Sequence, residues 1–165
     1  MRKTLIAILM ALALVVIPVG SAFAATTAAV TVTATPTFIS ITNLPTSWGI
    51  GVVAASTTPS TGETNFTITN SSSVPIDTTI KCNGWSGTSS WTYGASGANT
   101  GQLKASNGSG GYIITVPVDP STIALHSNVG VGNNPQWGLQ LEAPSSFSFG
   151  AEQTTTVTIS ASQHS

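Results

Sequence analysis

Phe66-Thr67-Ile68-Thr69-Asn70, then Ser71-Ser72-Ser73, then Val74-Pro75-Ile76-Asp77-Thr78-Thr79-Ile80-Lys81-Cys82 is the stretch that sets the fold class of this chain. From Asn65 to Asn70 the apolar Phe66 and Ile68 share one parity and Thr67 and Thr69 the other. That is the period of a half-buried strand. Val74 to Cys82 resumes the alternation through Val74, Ile76 and Ile80, with Cys82 in the same phase. Between them, Asn70 and three serines can bond their own backbone, which favours a turn. Two period-two runs joined by a short polar turn predict a β-hairpin.

Outward from this pair the same period recurs. Ala29 to Thr35 sets Val30, Val32 and Ala34 against Thr31, Thr33 and Thr35, and Phe38 to Thr42 continues beyond Pro36 as a second strand or the bent half of one edge strand. Trp48 to Val53 is a third candidate, weakened by Gly49 and Gly51. Asn83 to Gly111 is rich in Gly and Ser and reads as long loops around one or two short strands. Tyr112 to Val118 reads as a strand, His126 to Pro135 as a Gly/Asn loop, and Trp137 to Leu141 and Thr154 to Ala161 as strands again. No stretch of ten residues after residue 24 keeps a helical period. About seven to nine short strands separated by turn signals predict a single all-β domain, an antiparallel sandwich.

Residues 1 to 24 read differently. Arg2 and Lys3 precede an apolar run from Leu5 to Ile17, then Pro18, Gly20 and Ala22-Phe23-Ala24. This is the charged region, apolar region and small-residue cleavage site of a secretory signal peptide. A membrane span needs roughly 18 apolar residues, and this run stops short at Pro18. Cleavage after Ala24 leaves a domain over residues 25 to 165, secreted or held at the cell surface, with no membrane span of its own. The remaining bases are Lys81 and Lys104 and the acids Glu63, Asp77, Asp119, Glu142 and Glu152, a formal charge of 2 − 5 = −3. Nucleic-acid binding needs a field of Lys and Arg to displace counterions, and so is excluded. Polarity comes instead from 25 Thr and 21 Ser after residue 24. An uncharged hydroxyl surface suits packing against copies of the same chain or against a wall.

Site chemistry is sparse. The two histidines, His126 and His164, sit near no G-x-S-x-G elbow, and His164 adjoins a terminus expected to fray. The five acids form no spaced pair, and no H-x-x-x-H, cysteine pair or D-x-D-x-D loop is present for a metal. No catalytic residue, metal or cofactor is expected, and the chain reads as a non-enzyme. Trp85, Trp91 and Tyr93 lie in Gly/Ser-rich sequence, where indole faces can stack on sugar C–H faces, although tryptophan is as often core. Trp137, in phase with Leu139 and Leu141, is expected to be buried, and Trp48 with it. Asn65, Asn70 and Asn107 open glycosylation sequons, of which Asn70 and Asn107 fall in turns and are the better acceptors. Cys82 is the only cysteine, read as a small buried side chain or as one half of an intermolecular disulfide.

Trp48-Gly49-Ile50-Gly51-Val52-Val53, followed by Phe66 to Asn70, the serine turn, Val74 and Asp77 to Ile80, resembles the opening of secreted immunoglobulin-like sandwiches. It is similar to biofilm-fibre subunits of the TasA and camelysin kind and to wall-associated WxL proteins, whose short motif Trp137-Gly138-Leu139 echoes. The resemblance implies a surface or fibre component and transfers no functional residue. Two functions are therefore expected. One is a structural subunit that pairs with copies of itself, or with other surface proteins, through residues 25 to 35. The other is a cell-wall glycan-binding module that uses Trp85, Trp91 and Tyr93.

Overall fold

The computed structural model describes residues 31–165. The chain divides into two units, Met1–Thr35 and Pro36–Ser165. The expected leader, its boundary at residue 24 and residues 25 to 30 of the expected first strand lie outside the described residues. Residues 31 to 35 are exposed, with Val32 85% exposed, and among the described residues this part of the expected strand has no ladder.

The described residues are all-β, without a helix. The strands are β1 (Ile41–Leu44), β2 (Phe66–Asn70), β3 (Ile76–Cys82), β4 (Thr92–Tyr93), β5 (Thr100–Ser106), β6 (Ile114–Thr115), β7 (Ile123–Val129), β8 (Gln136–Glu142) and β9 (Val157–Gln163). They form two sheets. The larger runs β1-β2-β8-β5-β4, with β6 also on β5, and the smaller runs β7-β3-β9. The inward residues of both meet in one cluster: Phe66, Ile68, Leu103, Ala105, Trp137, Leu139 and Leu141 from the larger sheet, and Ile80, Cys82 and Leu125 from the smaller. Phe66 stacks on Trp137 at 4.5 Å between ring centroids, where the two residues are register partners.

The expected hairpin is corrected. β2 pairs with β1 and β8, whereas β3 pairs with β7 and β9 in the other sheet. Alternation fixes which face of a strand is apolar, and Phe66 and Ile68 would face Ile76 and Ile80 inward whether the strands lie side by side or across the core. The turn decides, and Asn70 builds it. Its side-chain nitrogen donates to the carbonyls of Val129 (2.8 Å) and Gly130 (3.1 Å), with that of Val74 at 3.3 Å, and its oxygen accepts the Ser72 N–H at 2.9 Å. These bonds tie the crossing to the end of β7 and carry the chain from one sheet to the other.

Other expectations shift too. The Gly/Ser-rich stretch contains β5, which pairs with β8 over five positions and buries Leu103 and Ala105. β5 is paired in parallel by the two-residue β4, so the sheets are not wholly antiparallel. The strand expected over Tyr112 to Val118 shrinks to β6, and β7 takes His126 to Val129 out of the expected loop. Trp48 to Val53 forms no strand, and Trp48 is half-buried rather than fully buried. Where β2 ends, residues 57 to 61 continue beside β8: Thr61 N–H donates to Leu139 O, and the N–H groups of Leu141 and Ala143 donate to Pro59 O and Thr57 O. The crossing there requires Gly138, because a Cβ would stand 2.1 Å from Gly62 O.

Candidate functional site

β9 differs from the strand it pairs with. Register sets Cys82 opposite Val157, Ile80 opposite Ile159 and Thr78 opposite Ala161. The three β3 residues are at most 1% exposed, yet all three β9 partners are only half-buried. The small sheet therefore projects its last strand beyond the cover of the larger one. Among the described residues nothing pairs with the outer edge of β9. A seven-residue strand with an open edge and an incompletely covered apolar face offers a template on which another strand could pair.

The uncovered face opens into a cleft of about 1170 Å³. Its floor is core: Phe66, Leu103, Trp137, Leu139 and Leu141. Val157 and Ile159 line it from β9, residues 45 to 53 form another part of its wall, and the packed aromatics Trp85, Trp91 and Phe147 complete the lining. Glu152 is its one ionisable lining residue, so the cleft suits an uncharged occupant.

The aromatic end is held by specific bonds. Trp85 donates its indole N–H to Gly101 O at 2.7 Å and meets Trp91 edge-on at 5.3 Å and 72°. Trp91 stacks on Phe147 at 5.4 Å and 21°. Gln153 accepts the Trp91 backbone N–H (2.9 Å) and donates to Ser89 O (2.7 Å), which joins the loop after β3 to the segment before β9. Tyr93 tilts against Trp85 at 6.1 Å, but its hydroxyl is committed to the fold, accepting from Leu103 N–H (3.0 Å) and donating to Val116 O (2.7 Å). Burial, and then the neighbouring Cys82 thiol, push the Tyr93 pKa upward. The structure thus brings Trp85, Trp91 and Tyr93 together, with the two tryptophans on the cleft wall. All three are half-buried in a packed cluster rather than spread as an open platform.

The remaining sequence-derived sites divide by burial. Asn70 is 0% exposed with its amide hydrogen-bonded, so a glycan there is incompatible with this fold, whereas Asn107 is exposed. Cys82 is 1% exposed and free, and a disulfide to another chain would require the core to open. His126 is half-buried with a pKa lowered by burial, and its buried Nε2 has no hydrogen-bond partner among the described residues. His164 is not frayed: its N–H donates to Pro75 O (3.0 Å) and its ring lies 2.8 Å from Asp77. Among the described residues no three His, Cys, Asp or Glu side chains gather as a metal site. Sequence reasoning missed Phe147, Gln153 and the cleft role of Val157 and Ile159. The first two sit in stretches without periodicity, and the last two look like any other core strand.

No family model, curated protein or solved structure matches this chain.

Proposed function

We propose that this chain is a non-enzymatic structural protein of the cell exterior, built on an immunoglobulin-like sandwich, that assembles with copies of itself by strand addition. The supporting observation is β9, whose outer edge is unpaired among the described residues and lies beside a nearly charge-free cleft of mixed polar and apolar lining. An incoming strand satisfies the edge backbone groups through main-chain bonds and places alternate side chains in the cleft. The occupant is residues 25 to 35 of a second copy, where Val30, Val32 and Ala34 alternate with threonines. In the described part of that segment Val32 is 85% exposed, and so is available to a neighbour.

The test is light scattering on the mature chain beginning at Ala25, beside a chain lacking residues 25 to 35. Concentration-dependent association that the shortened chain loses supports the reading. A chain that stays monomeric at high concentration, with a melting temperature indifferent to the deletion, overturns it.

A second reading is favoured by Trp85 and Trp91 lining the same cleft: a wall-glycan module whose sugar stacks on their indoles. It requires a shift of tryptophan emission on adding cell-wall polysaccharide, abolished by Trp91→Ala.

A further inference from the structure

Residues 45 to 53, between β1 and the segment beside β8, form one wall of the cleft and are held there in an unusual way. Trp48, Ile50 and Val53 pack against the core. Yet among the described residues no backbone group from 46 to 53 is hydrogen-bonded within the protein; the nearest such bonds reach Pro45 O and Ala54 O at its two ends. Val52 is fully exposed, and Gly51 has φ +76°. The segment has the composition of a strand, with Trp48 and Ile50 in phase, but no ladder. Backbone without hydrogen bonds opens at low free-energy cost, whereas the β strands around it do not.

From this we infer that Trp48–Val53 is a displaceable plug: it shields the apolar cleft in the unassembled chain and yields its place when an extended segment of a second copy pairs with β9. The inference rests on the self-assembly reading above and adds its control. Three apolar side chains cover part of the cleft without committing the backbone, so they keep water and wrong partners off it. An incoming strand offers the ladder bonds that the plug does not make. The plug therefore competes with the occupant, and weakening it strengthens assembly.

The test is carried out on the mature chain beginning at Ala25. Segment-resolved hydrogen exchange is expected to show residues 46 to 53 exchanging as free coil before assembly. On assembly β9 becomes protected and residues 46 to 53 do not. Ile50→Ser and Trp48→Ser are expected to associate about ten-fold or more tightly, each ten-fold being about 1.4 kcal/mol. Val131→Ser, at an exposed position outside the cleft lining, should leave association unchanged and serves as the control for folding. If the unaltered chain does not associate, the self-assembly reading falls and the plug with it. If it associates, but residues 46 to 53 gain protection or both plug variants associate no more tightly while keeping the melting curve of Val131→Ser, the plug alone is overturned. Should Trp48→Ser unfold, Ile50→Ser and the exchange pattern decide.

Discussion

At Asn70 four hydrogen-bonding partners converge on one amide that water does not reach. Leaving buried partners unpaired costs about 1–3 kcal/mol each. Asn70→Ala should therefore lower stability by more than about 2 kcal/mol, read by urea unfolding. In a glycosylating host, mass spectrometry should find glycan at Asn107 and none at Asn70. The response to acid is set in two separate windows, the upper by His126 and the lower by Asp77 and by Glu142, where the opposing effect of burial is outweighed by Lys104 and Gln102, which hold the carboxyl low. Burial lowers the His126 pKa below its usual 6.5, so the unfolded chain takes up the proton first. Stability should begin to fall as pH drops through about 6.5 and level off below the folded value, and His126→Gln should remove this limb. Asp77 is held below the usual carboxylate range by the Asn128 backbone N–H and then by His164. Its contribution is complete above the unfolded carboxyl pKa of about 3.9 and is lost as pH falls toward the folded value. Asp77→Asn should flatten this lower limb in part and leave the share of Glu142.

Among the elements, β3 and β9 test how far one strand's surroundings differ from its neighbour's. Ile80→Ala should cost about 2–5 kcal/mol, as a fully packed site does; Ile159→Ala should cost less than half of that, because Ile159 already borders open space. Ile159→Glu should leave the chain folded and abolish association, as measured by sedimentation. The sequence signals divide along the same line. β8 and β9 were legible because Trp137, Leu139 and Leu141, and Val157, Ile159 and Ala161, alternate without interruption. β5 was not, since Thr-Gly-Gln-Leu-Lys-Ala-Ser carries a single large apolar residue and gains its place from β8 on one side and β4 and β6 on the other. Trp48 to Val53 erred the other way, with a strand's composition and no partner. The aromatic pair was legible as residue types, but the cleft that gives Trp85 and Trp91 a setting depends on Phe147 and on an uncovered β9, and neither leaves a trace in local pattern.

Across the whole molecule, charge is sparse and largely paired. Lys81 contacts Asp119, Lys104 lies 2.5 Å from Glu142, and His164 meets Asp77. With both lysines of residues 25 to 165 engaged, the remaining charge of −3 is small and of one sign, so on the self-assembly reading only weak repulsion and no attractive steering acts between copies. Association should proceed in the range of neutral partners, roughly 10⁵–10⁶ M⁻¹s⁻¹. It should change less than about two-fold across a salt series that shortens the Debye length from about 10 Å to 3 Å, as followed by stopped-flow scattering.

The order of the strands along the chain has a bearing on timing. β8 is the middle strand of the larger sheet, between β2 and β5, and β9 is the last of the nine, laid against a β3 that lies some 80 residues earlier. Neither sheet can close until the chain as far as β8 and β9 is free to fold. Pairings of such long sequence separation are slow to form. A chain delivered N-terminus first would therefore remain threadable throughout its passage. The open edge of β9 would come into existence only once that passage was complete, and on the self-assembly reading copies could not pair through it before then.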